Sequence, residues 1–88
     1  MNKNATMDIS IKLKRERQVD ENDKFYFVEV IHKSMHIEKS VFGYIEKSFD
    51  ESVFREKCPF KNIINVSIIA SFDNEKDYKK YGNSHNLF

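Results

Sequence analysis

The run from Phe25 to His32, FYFVEVIH, most limits what this chain can become. Phe, Tyr, Val and Ile favour strands, because branched and aromatic side chains fit a pleated surface well. Side chains on a strand alternate between its two faces. Here Phe25, Phe27 and Ile31 fall on one face and Tyr26, Val28 and Val30 on the other, with only Glu29 polar inside the run. A strand apolar on both faces sits inside a covered sheet, or it shows one face to a partner. The rest of the chain has to supply that cover.

Two further strands are written in alternation. Met7, Ile9, Ile11 and Leu13 alternate with Asp8, Ser10, Lys12 and Lys14, which predicts a half-buried strand from about Met7 to Arg17. Ile64, Val66, Ile68, Ala70 and Phe72 share one face of a strand from Ile63 to Phe72. The polar segment from Gln18 to Lys24 reads as a turn. So short a gap predicts an antiparallel hairpin between the first two strands. The faces Ile9/Ile11/Leu13 and Ile64/Val66/Ile68 are then expected core. In such a core Ile11→Ala or Ile68→Ala costs about 2–5 kcal/mol.

Residues 34–57 carry two patterns. Ile37, Val41, Tyr44, Ile45, Phe49 and Val53 recur mostly at spacings of three and four, which favours a helix with Ser34 as its cap. Against this, the stretch from Ser40 to Ile45 is rich in strand formers, and Gly43 costs a helix about 1 kcal/mol. Ser48 and Glu51 have capping-box spacing and mark the start of a second helix. Near the C-terminus, Asp73 or Asn74 caps a helix through Tyr81, with Gly82 just past its end. Residues 1–6 and 83–88 are expected to be flexible ends. The resulting expectation is a single α+β domain over residues 1–88. It has an antiparallel sheet of three or more strands and one or two helices packed on one face.

Several chemistries are excluded. Fifteen basic residues against fourteen acidic ones rule out a general nucleic-acid coat or an acidic mimic. The two glycines, Gly43 and Gly82, stand far apart, so no phosphate-cradling loop exists. Cys58 is the single cysteine, which excludes an internal disulfide and a cysteine-built zinc site. His32 and His36 lie four apart near Glu38, but no third ligand is suggestively spaced, and His85 stands alone near the end. Cys58, beside Pro59, reads as a small buried apolar group, so Cys58→Ser should leave partner binding intact. No catalytic residue, metal or cofactor is assigned. The apolar runs are too short to span a membrane and the first residues lack an apolar signal core, so the expected location is the cytoplasm.

The excess that remains is aromatic. Eight Phe and four Tyr make up 14% of the chain, and a core this small has difficulty covering them all. Tyr26, Tyr78, Tyr81 and Phe88 are therefore the expected partner-binding residues, Tyr78 and Tyr81 sharing one helical face. Lys12, Lys14, Arg15 and Arg17 form a basic cluster beside the aromatic strand. It raises nucleic-acid binding through the N-terminal hairpin as an alternative, although a strand splits these charges between two faces.

The segment Phe72-Asp-Asn-Glu-Lys-Asp-Tyr-Lys-Lys-Tyr81, followed by His85, is similar to the strand–helix end of the dimeric α/β-barrel (ferredoxin-like) proteins. The resemblance covers that C-terminal segment alone. It implies a small molecule bound or converted in a sheet-lined pocket, with His32, His36 or His85 pointing inward. The expected N-terminal hairpin departs from that family's strand–helix–strand opening, and no residue role is carried over. The favoured expectation is a non-enzymatic protein-interaction module, an inhibitor, adaptor or regulatory subunit. Its partner would be another protein or a second copy of itself.

Overall fold

The computed structural model describes residues 8–12, 19 and 21–88, with backbone pairing alone for residues 8–12. Among the described residues, the elements run in the order β1 (Asp8–Lys12), β2 (Lys24–Lys33), β3 (Ile37–Glu46), α1 (Glu51–Lys57), β4 (Ile63–Phe72) and α2 (Glu75–Ser84). The strands form one sheet in the order β1-β3-β2-β4. β2 runs antiparallel to both β3 and β4, and β1 runs parallel to β3. The fold is α+β, with an antiparallel sheet at its centre.

β2 lies in the interior of the sheet, as its two apolar faces require. On one face Tyr26, Val28 and Val30 join Phe42 and Tyr44 of β3 beneath Phe54 of α1, with Cys58 at the margin. On the other face Phe25 and Phe27 join Val41 and Ile45 of β3 beneath Tyr78 of α2. The helices thus divide between the two faces instead of sharing one. The cause is β2 itself, since a strand apolar on both sides needs a cover on each.

The helix expected from Ser34 is strand β3. Residues 41–45 are all buried, so β3, like β2, is apolar on both sides. A run with no polar gap satisfies a helical period and a strand period equally, and the β-rich content of Ser40 to Ile45 decides. Helix α1 does begin where a second helix was expected, but its cap is Asp50, not Ser48. The Asp50 carboxylate accepts from the backbone N–H groups of Ser52 at 3.0 Å and Val53 at 3.4 Å. Hydrogen bonds to Ser52 hold the Asp50 carboxyl below its usual range.

The expected β1–β2 hairpin is also corrected. β1 and β2 run in opposite directions, yet β3 lies between them, with Ile9 opposite Ser40 and Phe25 opposite Ile45. A two-sided apolar strand is a better neighbour for β2 than the alternating β1, whose pattern suits an edge. The side chains of the Ile9/Ile11/Leu13 face lie outside the described residues.

β4 has the expected bounds but not the expected face. Its register against β2 steps from Ala70 to Ile68, and again from Asn65 to Ile63, leaving Ile69 and Ile64 as bulges. Each bulge adds a residue and turns the rest of the strand to the other face. Ala70 and Phe72 therefore pack with the α2 cluster, and Ile63 and Val66 with the α1 cluster. Ile64 is 54% exposed and Ile68 45%, so neither is core.

Asn74 caps α2, accepting from the Asp77 N–H at 2.8 Å. Gly82 lies within the helix, not past its end, and has no positive φ. It is small so that the Phe88 ring can rest where a side chain would stand. Asn86 instead takes the left-handed conformation, at φ 56°. The 83–88 segment, expected to be loose, folds back: Leu87 N–H donates to the Gly82 carbonyl at 2.7 Å. Gly43 has the same role on β3, where the Tyr78 hydroxyl occupies the place of a Cβ.

Two outcomes are expected in urea melts. Phe27→Ala should lower stability by about 3–5 kcal/mol and Ile68→Ala by about 1 kcal/mol or less. Equal losses would place Ile68 in the core. Gly43→Ala should cost about 1–3 kcal/mol by overpacking. Without the hydroxyl, the nearest Tyr78 atom is ring carbon Cζ at 3.3 Å, so Gly43→Ala combined with Tyr78→Phe should cost less than the two single losses added. Strict additivity would show that the hydroxyl and residue 43 do not meet.

Candidate functional site

The expected binding rings are mostly interior. Tyr26 is only 6% exposed and lies 6.3 Å from Tyr44 and 5.8 Å from Phe49. Tyr78 is fully buried, stacked on Phe27 at 4.6 Å and packed 5.3 Å from Phe25. The expected exposure fails for both, because helices on two faces give the sheet twice the cover foreseen. Tyr81 is half-buried, 5.4 Å from Phe72 and stacked on His85 at 4.0 Å. Phe88 remains 57% exposed, although its ring lies 5.7 Å from Phe27. Of the basic cluster, Lys12 ends β1, and Lys14, Arg15 and Arg17 lie outside the described residues.

The reactive side chains are placed for packing. His32 is buried, with Nε2 3.0 Å from Ser40 Oγ and its ring stacked 3.5 Å from that of Phe60. His36 is exposed in the turn between β2 and β3, and His85 ends α2 with Nδ1 3.0 Å from the Tyr81 carbonyl oxygen. Among the described residues, no group of three His, Cys, Asp or Glu side chains could hold a metal ion. Cys58 is buried, and burial pushes its thiol up. An activated cysteine shifts the other way. Two shallow clefts of about 340 and 260 Å³ open beside Tyr44 and beside Tyr81, and neither is lined by histidine. No helix of the described residues is long and apolar enough to cross a membrane.

What remains is the outer edge of β4. β4 ends the sheet order, so its second edge has no strand partner among the described residues. Its ten residues, IINVSIIASF, include no charge and no proline. Natural sheets blunt such edges with charges, proline, bulges or short length. β4 has bulges, but these fall at isoleucines: bulged Ile64 and Ile69 are both exposed, as is Ile68. The other exposed large apolar side chains, such as Met35, Val53 and Phe88, are scattered over other elements. Lys61 and Asp73, both exposed, bracket the strand. The sequence shows this neutral strand and its charged brackets, but only the strand order makes it an edge.

No protein-family model matches the chain, and no curated protein or solved structure matches it either.

The interior tyrosine has a measurable signature. Burial, with a smaller contribution from Glu75, raises Tyr78 from its ordinary 10.0 to about 12. The fold holds this proton more tightly than the unfolded chain does. The associated stability is therefore full below pH 10.0 and falls as pH rises towards about 12. The loss is on the order of 2 kcal/mol. In alkaline melting curves Tyr78→Phe should lack this step while keeping the parts due to Cys58, Tyr44 and Lys24, which are also shifted upward. Identical alkaline losses in both proteins would place the hydroxyl in solvent.

Proposed function

We propose that this chain is a small, non-enzymatic protein-interaction module of the cytoplasm that binds by strand addition at the outer edge of β4. The observation that carries this reading is a ten-residue edge strand without a charged residue, exposing Ile64, Ile68 and Ile69. In strand addition, main-chain hydrogen bonds provide affinity and alternate side chains provide specificity. The aromatic core supports the reading indirectly. Rings packed on both faces hold β2, and β2 holds β4 in register, so the edge is organised before a partner arrives. An inhibitor, an adaptor or a regulatory subunit would share this mode. The buried and unpaired Cys58 suits a reducing compartment. A sheet-lined pocket of the barrel type is less well supported, because helix-borne clusters cover both faces of β2 and β3.

A photo-crosslinking residue placed at Ile69 tests the proposal in cells that produce the protein, with exposed Met35 as the control position. Position 69 should yield a defined protein adduct and position 35 should not. Ile68→Lys in the same chain should abolish the adduct while leaving the melting curve unchanged. Absence of an adduct at position 69, or an adduct indifferent to the new lysine, would remove the edge as the binding surface.

A further inference from the structure

We infer that the occupant of the β4 edge is a second copy of this chain, paired antiparallel about a two-fold axis through Ser67; this rests on the strand-addition reading. The charge pattern carries the inference. Lys61 and Asp73 each stand six positions from Ser67, one on either side of an uncharged stretch that includes all of β4. An antiparallel copy centred on Ser67 therefore brings Lys61 of each chain opposite Asp73 of the other, once at each end. A parallel copy would set Lys61 beside Lys61 and Asp73 beside Asp73. Opposite charges facing across strands stabilise a pair, and like charges there destabilise it. The pattern thus selects the antiparallel arrangement and fixes its register.

The intervening side chains suit that register. Ile68 falls opposite Val66 of the second copy, which places two branched apolar side chains in a cross-strand pair. The Asp73 side chain already accepts from Lys24 at 2.9 Å and is 84% exposed, which leaves it accessible to a second ammonium group. The interface is isologous, the same strand meeting itself, so it closes at two chains. It joins two four-stranded sheets into a continuous one and covers the uncharged edge of each.

Sedimentation over a concentration series tests this on the full chain. The wild type should approach twice the 10.5 kDa chain mass. Ile68→Lys should remain at the monomer mass and still melt cooperatively, at a temperature independent of concentration, whereas the wild type should melt later as its concentration rises. Lys61→Glu alone and Asp73→Lys alone should each weaken self-association by about tenfold or more, since each sets two like-charge pairs across the strands. Mixing these two variants should restore a dimer, because Glu-for-Lys at 61 then meets Lys-for-Asp at 73. Failure of the mixture to re-pair, or a dimer that survives Ile68→Lys, would overturn the inference. A wild type that stays monomeric while position 69 crosslinks to a different protein would overturn the second copy and keep the edge. A monomer with no adduct would overturn both.

Discussion

Tyr78 lies flat against β2 at the one point where β3 has no side chain, and the two layers depend on that contact. Its ring stacks on Phe27 at 4.6 Å, and its hydroxyl fills the space that Gly43 leaves opposite Phe27. A larger residue at position 43 would lift α2 from the sheet. With α2 seated, Tyr81 reaches Phe72 and Phe27, and Gly82 admits the Phe88 ring, which closes over Tyr78 at 5.5 Å. The opposite face is built on Phe54, which meets Tyr44 at 5.2 Å and Phe42 at 5.8 Å, both edge-to-face. Aromatic pairs in such geometries contribute about 0.5–1.5 kcal/mol beyond area burial. An unusual number of rings is therefore what a small sheet needs when both of its faces require a cover.

The sequence was readable where a pattern has one solution. The two-sided run Phe25 to His32 implied either an interior strand or one with a face shown to a partner, and β2 is interior with both faces covered. The bounds of β4 were legible, and the α2 cap was narrowed to Asp73 or Asn74, because alternation and capping are local. β3 was not, because Val41, Phe42, Tyr44 and Ile45 are all buried and an unbroken apolar run has no decisive period. The position of β3 between β1 and β2 was hidden for a different reason. Strand neighbours are a property of the whole sheet, and a short gap speaks only for the simplest connection. The bulges at Ile64 and Ile69 defeated the face assignment, since strict alternation assumes that no residue is inserted. Gly82 was read as a helix end because glycine is common there, whereas here it serves close approach.

The candidate site was legible only in its ingredients. Composition counts rings but not the faces available to bury them, so the aromatic excess pointed towards the surface when Tyr26 and Tyr78 belong to the core. The uncharged strand and its brackets, Lys61 and Asp73, were visible as residues. Their meaning depends on β4 lying at an edge, and the strand order alone supplies that.

Among the described residues, the two edges of the sheet differ in a way that bears on the proposed self-association. Over its described residues β1 alternates apolar residues with Asp8, Ser10 and Lys12, whereas β4 is ten residues long and neutral. Charge is a usual means of keeping an edge unpaired. Pairing of β1 with β4 of another copy would be heterologous, leaving a free edge at each end and propagating into a fibre. The mismatch in charge opposes that contact. A contact between two β4 strands consumes the unguarded edge of each chain and leaves the guarded ones outward. Among the described residues, one charged edge and one neutral edge are thus the combination that the proposed dimer needs in order to pair once and then stop.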